Sequence, residues 1–126
     1  MRLNLEQELE INARVEGDHI LILQVETENL DASNVHTFRS NVHLLIQKRS
    51  HVVFDMSGIK FVDSSGLGAL ISCQRILKAA NGDFRLCSMS VPVRALFDLM
   101  RMQRIFQIHE NASDAVQSLS RLHELT

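Results

Sequence analysis

Short apolar runs of strand length alternate with stretches of helical periodicity along almost the whole chain, and this alternation restricts the fold more than any other feature. From Leu9 to Glu16 the residues Leu9, Ile11, Ala13 and Val15 fall on one face, the pattern of a half-buried strand. Gly17-Asp18 signals a turn, and His19 to Val25 reads as a more buried strand, so the two form a hairpin. Val35, Phe38, Val42, Leu45 and Ile46 then recur at helical spacing, with Asp31 or Ser33 available as the cap. His51 to Phe54 reads as a central strand, and a loop from Asp55 to Val62 leads to a helix over about Ser65–Ala80, with inward Gly66, Ala69, Leu70, Cys73 and Ile76 and a stop at Gly82. Phe84 to Ser88 is the next strand. Ser90 caps a third helix that has Pro92 in its first turn and Val93, Leu96, Phe97 and Met100 facing inward. Ile105 to His109 is a last short strand, and Ser113 or Asn111 starts a helix with Ala115, Val116, Leu119 and Leu122 inside. Strand–helix–strand crossovers produce parallel neighbours, so the order predicts a single α/β domain with a mixed, mainly parallel sheet and an antiparallel hairpin.

The 126 residues suit one core, and with a single proline and five glycines nothing resembles a linker. A net charge of -2, from 13 basic and 15 acidic residues, lacks the basic footprint of a nucleic-acid binder, and none is expected as a partner. Early acids and the lack of an uninterrupted apolar stretch near Met1 give no secretory signal and no membrane partner, so a cytoplasmic address is expected. Cys73 and Cys87 lack metal or redox spacing and read as buried small hydrophobes.

The most informative segment is Phe61-Val62-Asp63-Ser64-Ser65-Gly66-Leu67-Gly68, which lies where a strand-rich region passes into a helix. Unpaired amides and the helix dipole favour negative charge at such a terminus. Asp63, Ser64 and Ser65 can simply cap the helix. Capping needs only one such residue, however, and three polar residues before Gly66 and Gly68 exceed that need, so a phosphate-accepting serine is the competing reading. Gly66 and Gly68 both allow close backbone approach.

Enzymatic readings fail on spacing: the segment is neither a nucleophile elbow nor a dinucleotide fingerprint, and the chain contains no phosphate-binding lysine loop. His36 and His43 can share a helix face, but no supporting ligand pattern accompanies them, and neither metal nor cofactor is expected. Asp55 and Asp63 read as loop acids rather than paired carboxylates. Met89, Phe97, Met100 and Met102 read as core or interface.

Asp55-Met56-Ser57-Gly58-Ile59-Lys60-Phe61-Val62-Asp63-Ser64-Ser65-Gly66-Leu67-Gly68 resembles the signature of the STAS domain family, found in bacterial anti-sigma factor antagonists and sulfate transporters. The resemblance continues through Asn81 to Cys87 and Val91 to Met100, and it covers roughly Leu9 to Leu122. It implies a STAS-type sheet with helices packed mainly on one face. It also implies that Ser64, the first serine after the aspartate, accepts a phosphate. Asp31 matches a family aspartate in the loop after the second strand, although Glu28-Asn29 replaces the usual glycine–acid pair.

The implied function is partner switching by an anti-sigma factor antagonist, which is not an enzyme. The unphosphorylated protein binds an anti-sigma factor that is itself a serine kinase, and so releases the sigma factor. ATP-dependent phosphorylation of Ser64 ends the binding, and a PP2C-type phosphatase restores it. The expected partner-binding residues are Asp31, Asp63, Ser64, Ser65, Gly66 and Leu67. The alternative is a non-switching STAS scaffold or accessory subunit of a stress-sensing or lipid-transport complex. A nucleotide hydrolase is a third reading, with no catalytic constellation to support it.

Overall fold

The computed structural model describes residues 2–4, 9–17, 19–47, 49 and 51–125. In chain order the elements are β1 (Arg2–Asn4), β2 (Glu10–Glu16), β3 (Ile20–Val25), β4 (Asn29–Leu30), α1 (Val35–Ile46), β5 (His51–Asp55), β6 (Phe61–Val62), α2 (Ser64–Ala79), β7 (Asp83–Cys87), α3 (Val91–Leu99), a 3-10 turn (Met102–Arg104), β8 (Gln107–His109) and α4 (Ala112–Leu125). Six strands form one sheet in the order β1-β2-β3-β5-β7-β8. Its first two pairings are antiparallel and the remaining three parallel, the mixed α/β sheet that the alternation predicts.

The pleat sends alternate residues to two different cores. Leu21 stands beside Val52 and Leu23 beside Phe54, with Phe84 and Leu86 next in line, and this face packs under α1, α2 and α3. A row of rings runs across it. Phe54 lies between Phe38 of α1 at 5.6 Å and Phe84 at 6.3 Å, and Phe106 links Phe84 to Phe97 of α3. Ile20, Ile22, Val53 and Cys87 point the other way, against Ala115 and Leu119 of α4. Three helices therefore cover one face and a single helix the other.

Several boundaries differ from expectation for identifiable reasons. Neither Asp31 nor Ser33 caps α1. Asn34 occupies that position, and its side chain turns back to accept from the Asp31 amide at 3.1 Å and to donate to the Asn29 carbonyl at 2.8 Å. α2 ends through Asn81, at φ +61°, rather than through Gly82. The Asn81 and Gly82 amides donate to the carbonyls of Lys78 and Leu77, which closes the final turn. Met100 lies just past α3 and points outward, whereas Val93 and Phe97 are buried. Ser90 caps α3 as expected, and of the two alternatives for α4 it is Asn111 whose side chain accepts from Asp114. Asp18 of the expected turn and the side chain of Leu122 lie outside the described residues.

The segment expected to be a plain loop between Asp55 and Val62 contains β6, which pairs in parallel with β4 as a separate two-stranded sheet. β1 was likewise not expected. These elements of two and three residues are too short to establish a periodicity.

Candidate functional site

β3 and β5 are parallel neighbours, so the loops that follow them emerge at the same end of the sheet. The β4–β6 pairing fastens those loops together, with Asn29 beside Phe61 and Leu30 beside Val62. The Glu28 carbonyl accepts from the amides of both Lys60 and Phe61, and the Lys60 ammonium lies 3.3 Å from the Glu28 carboxylate.

Asp63 stands where the two loops meet α2. Its backbone is extended, and Oδ1 accepts from the Gly66 amide at 3.0 Å, so it is the N-cap. Oδ2 accepts from the Ala32 amide at 3.2 Å, and the Asp63 amide donates to the Leu30 carbonyl at 3.3 Å. One side chain therefore caps α2 and tethers the Asp31 loop.

Gly66 lies so close to that loop that a β-carbon on it would sit 2.2 Å from the Leu30 carbonyl oxygen. A rigid backbone atom cannot yield to such an approach, so glycine is the residue this contact admits. Gly68 differs from the expectation of a second close backbone approach: among the described residues a β-carbon there would meet only the Arg39 guanidinium, at 3.4 Å.

Asp31 is partly buried across this junction. Its Oδ1 accepts from the hydroxyl and the amide of Ser33, which hold its carboxyl below the usual carboxylate range. Ser64 is exposed at the first position of α2, and Ser65 is half-buried. Gly66 and Leu67 are buried, so they shape the junction from within. The amides of Ser64 and Ser65 have no hydrogen-bond partner among the described residues, and two donors therefore remain at the positive end of the helix.

The other candidate residues are dispersed. Asp55 accepts from the Ser57 amide at 2.9 Å, and Ser57 in turn accepts from Gln24 at 2.7 Å. His36 is exposed, while His43 lies 3.3 Å from the Ser72 hydroxyl with its pKa lowered by burial and then by Arg39. Among the described residues no three His, Cys, Asp or Glu side chains gather as a metal site. Burial pushes the thiols of Cys73 and Cys87 up to about 12 and about 11. Both are free, and they pack in different cores.

The sequence reading missed three residues that shape the site. Ala32 contributes only an amide, and Leu30 only a carbonyl, roles any residue can fill. Asn34 carries no distinguishing signal, because Asp31 and Ser33, three residues and one residue earlier, are equally good capping residues. Phe61, which the sequence segment already includes two positions before Asp63, is an exposed apolar residue paired with Asn29.

A family model described as "STAS domain" matches residues 10–115. An anti-sigma F factor antagonist of Paenibacillus polymyxa is 28% identical over 114 residues, covering 86% of this chain and 97% of that protein. The anti-sigma-factor antagonist (STAS) domain protein of Planctomyces limnophilus superposes with a TM-score of 0.79 at 18% identity, over 87% of this chain and 97% of that one. The Bacillus cell fate determinant SpoIIAA in its phosphorylated form gives a TM-score of 0.62 at 17% identity, over 86% and 97% of the two chains.

Proposed function

The chain belongs to the STAS domain family, and on that premise we propose that it is an anti-sigma factor antagonist switched by phosphorylation of Ser64. The observation that carries this reading is the setting of Ser64. It is exposed, it directly follows the capping Asp63, and it begins a helix whose first two amides have no hydrogen-bond partner among the described residues. The names of the relatives support the general role, and one protein of the same fold is known in a phosphorylated form.

In the proposed cycle the unphosphorylated surface around Asp31, Asp63, Ser64 and Ser65 docks an anti-sigma factor with serine kinase activity, while Gly66 and Leu67 keep α2 in register beneath it. The proposed kinase adds a phosphate carrying about -1.5 to -2 charges at neutral pH. The helix terminus tolerates this charge in the free protein. Pressed against a partner and stripped of water, it costs on the order of 2–5 kcal/mol, enough to release a moderate binder. A PP2C-type phosphatase resets the switch. Ser65 is half-buried and the less accessible hydroxyl, so phosphopeptide mapping is expected to place the label on Ser64.

The deciding experiment compares Ser64→Ala with Ser64→Asp by calorimetry against the purified partner, with thermal melts of each. Both variants are expected to fold, since alanine loses little and a helix N-terminus accommodates a carboxylate. Ser64→Ala is expected to bind and to resist the kinase, and Ser64→Asp to bind more weakly. Equal affinities at equal stability would reject the electrostatic switch in favour of a non-switching scaffold.

A further inference from the structure

We propose that Arg39 is the cation that receives the phosphate on Ser64, an inference that rests on the reading of Ser64 as the acceptor. Arg39 lies on the exposed side of α1, and its Nη2 reaches across to within 3.4 Å of the place a β-carbon on Gly68 would occupy. Gly68 follows Ser64 by four residues, so the two share one face of α2 a single turn, about 6 Å, apart. Bonds from Cα to Cβ lean toward the N-terminus of a helix, so the β-carbon position at Gly68 that the guanidinium approaches lies on the Ser64 side of the Gly68 backbone. Glycine at 68 puts no side chain of its own on the way from one to the other.

Arg39 also has no carboxylate partner among the described residues. The nearby Asp63 carboxylate is occupied by the amides of Gly66 and Ala32. A phosphoryl group on Ser64 matches the forked donors of arginine, and a small rotation of an exposed side chain brings them together. The free phosphorylated protein is thus steadied from two sides, by the first amides of α2 and by Arg39.

The test uses the full chain with phosphoserine genetically encoded at position 64, so that it does not depend on any kinase, and follows the phosphate by phosphorus NMR during a pH titration. A cation favours the dianion, so removing it raises the second pKa of the phosphate. The carboxylates of Asp63 and Asp31 act in the opposite sense, and His43 lies beyond Arg39 on α1. The measurement is therefore a comparison between variants that keep all three. Arg39→Gln is expected to raise this pKa by about 0.5 unit, and Arg39→Lys by less, with the difference fading in 1 M salt. Arg75→Gln removes the same charge from α2 at about 16 Å along the helix axis and is expected to leave the value unchanged. A shift for Arg39→Gln no larger than that for Arg75→Gln would overturn the pairing. That outcome is distinct from failure of the switch itself, which is read from partner affinity with and without the phosphate.

Discussion

At Gly66 a single methyl group decides whether α2 can begin where it does. Gly66→Ala drives a β-carbon into the Leu30 carbonyl, and the expected cost is on the order of 3 kcal/mol in chemical denaturation. Gly68→Ala meets only a movable guanidinium and improves helix propensity, so it is expected to be neutral or to stabilise by up to about 1 kcal/mol. Two glycines that look alike in the sequence should therefore separate sharply in a melt. Asp63→Ala removes both the cap and the tether to Ala32, and a loss of about 1–2 kcal/mol is expected. The capping role of Asp63 was legible because it depends on three residues of local sequence. Its second bond was not, because Ala32 lies 31 positions away and contributes only backbone.

Between elements, the least legible feature is the way α4 is fastened to the sheet. Its apolar spacing announced a helix, but nothing local showed that it would cover the opposite face from the other three. Arg85 lies buried beneath it, 2.8 Å from the Asp83 carboxylate and 2.9 Å from the Ser118 hydroxyl, with its Nη1 also 3.3 Å from His109 Nε2. Arginine only donates, so that ring nitrogen accepts and the imidazole is neutral. Arg85→Ala strands these partners and is expected to cost about 2–4 kcal/mol.

Burial, and then Arg85, lowers the His109 pKa below 6.5, and burial acts likewise on His43. The unfolded chain therefore binds protons more readily than the folded one. Stability is complete above the unfolded value and falls as the pH drops from about 6.5 through the folded pKa values. Thermal melts from pH 7.5 to pH 5 should show this decline, and His109→Gln should flatten part of it.

Across the whole molecule, the mixed sheet was legible because every crossover between parallel strands carried a helix-period segment and the leading pair carried a turn. That topology brings the loops after β3 and β5 to one end, where Asp31, Asp63 and Ser64 converge. Chemical-shift mapping with the proposed partner should show changes over residues 28–34 and 63–68, and little on α4. What the sequence hid was the joining of those loops, because β4 and β6 contribute only two residues each. This short ladder is separate from the six-stranded sheet, so its hydrogen bonds can open while that sheet stays paired. The amides of Lys60, Phe61 and Asp63, which donate to Glu28 and Leu30, should exchange with deuterium together, well ahead of Leu23, Phe54 and Leu86. A partner seated on this end of the molecule would then slow a small, identifiable set of protons while leaving the slowest ones as they were.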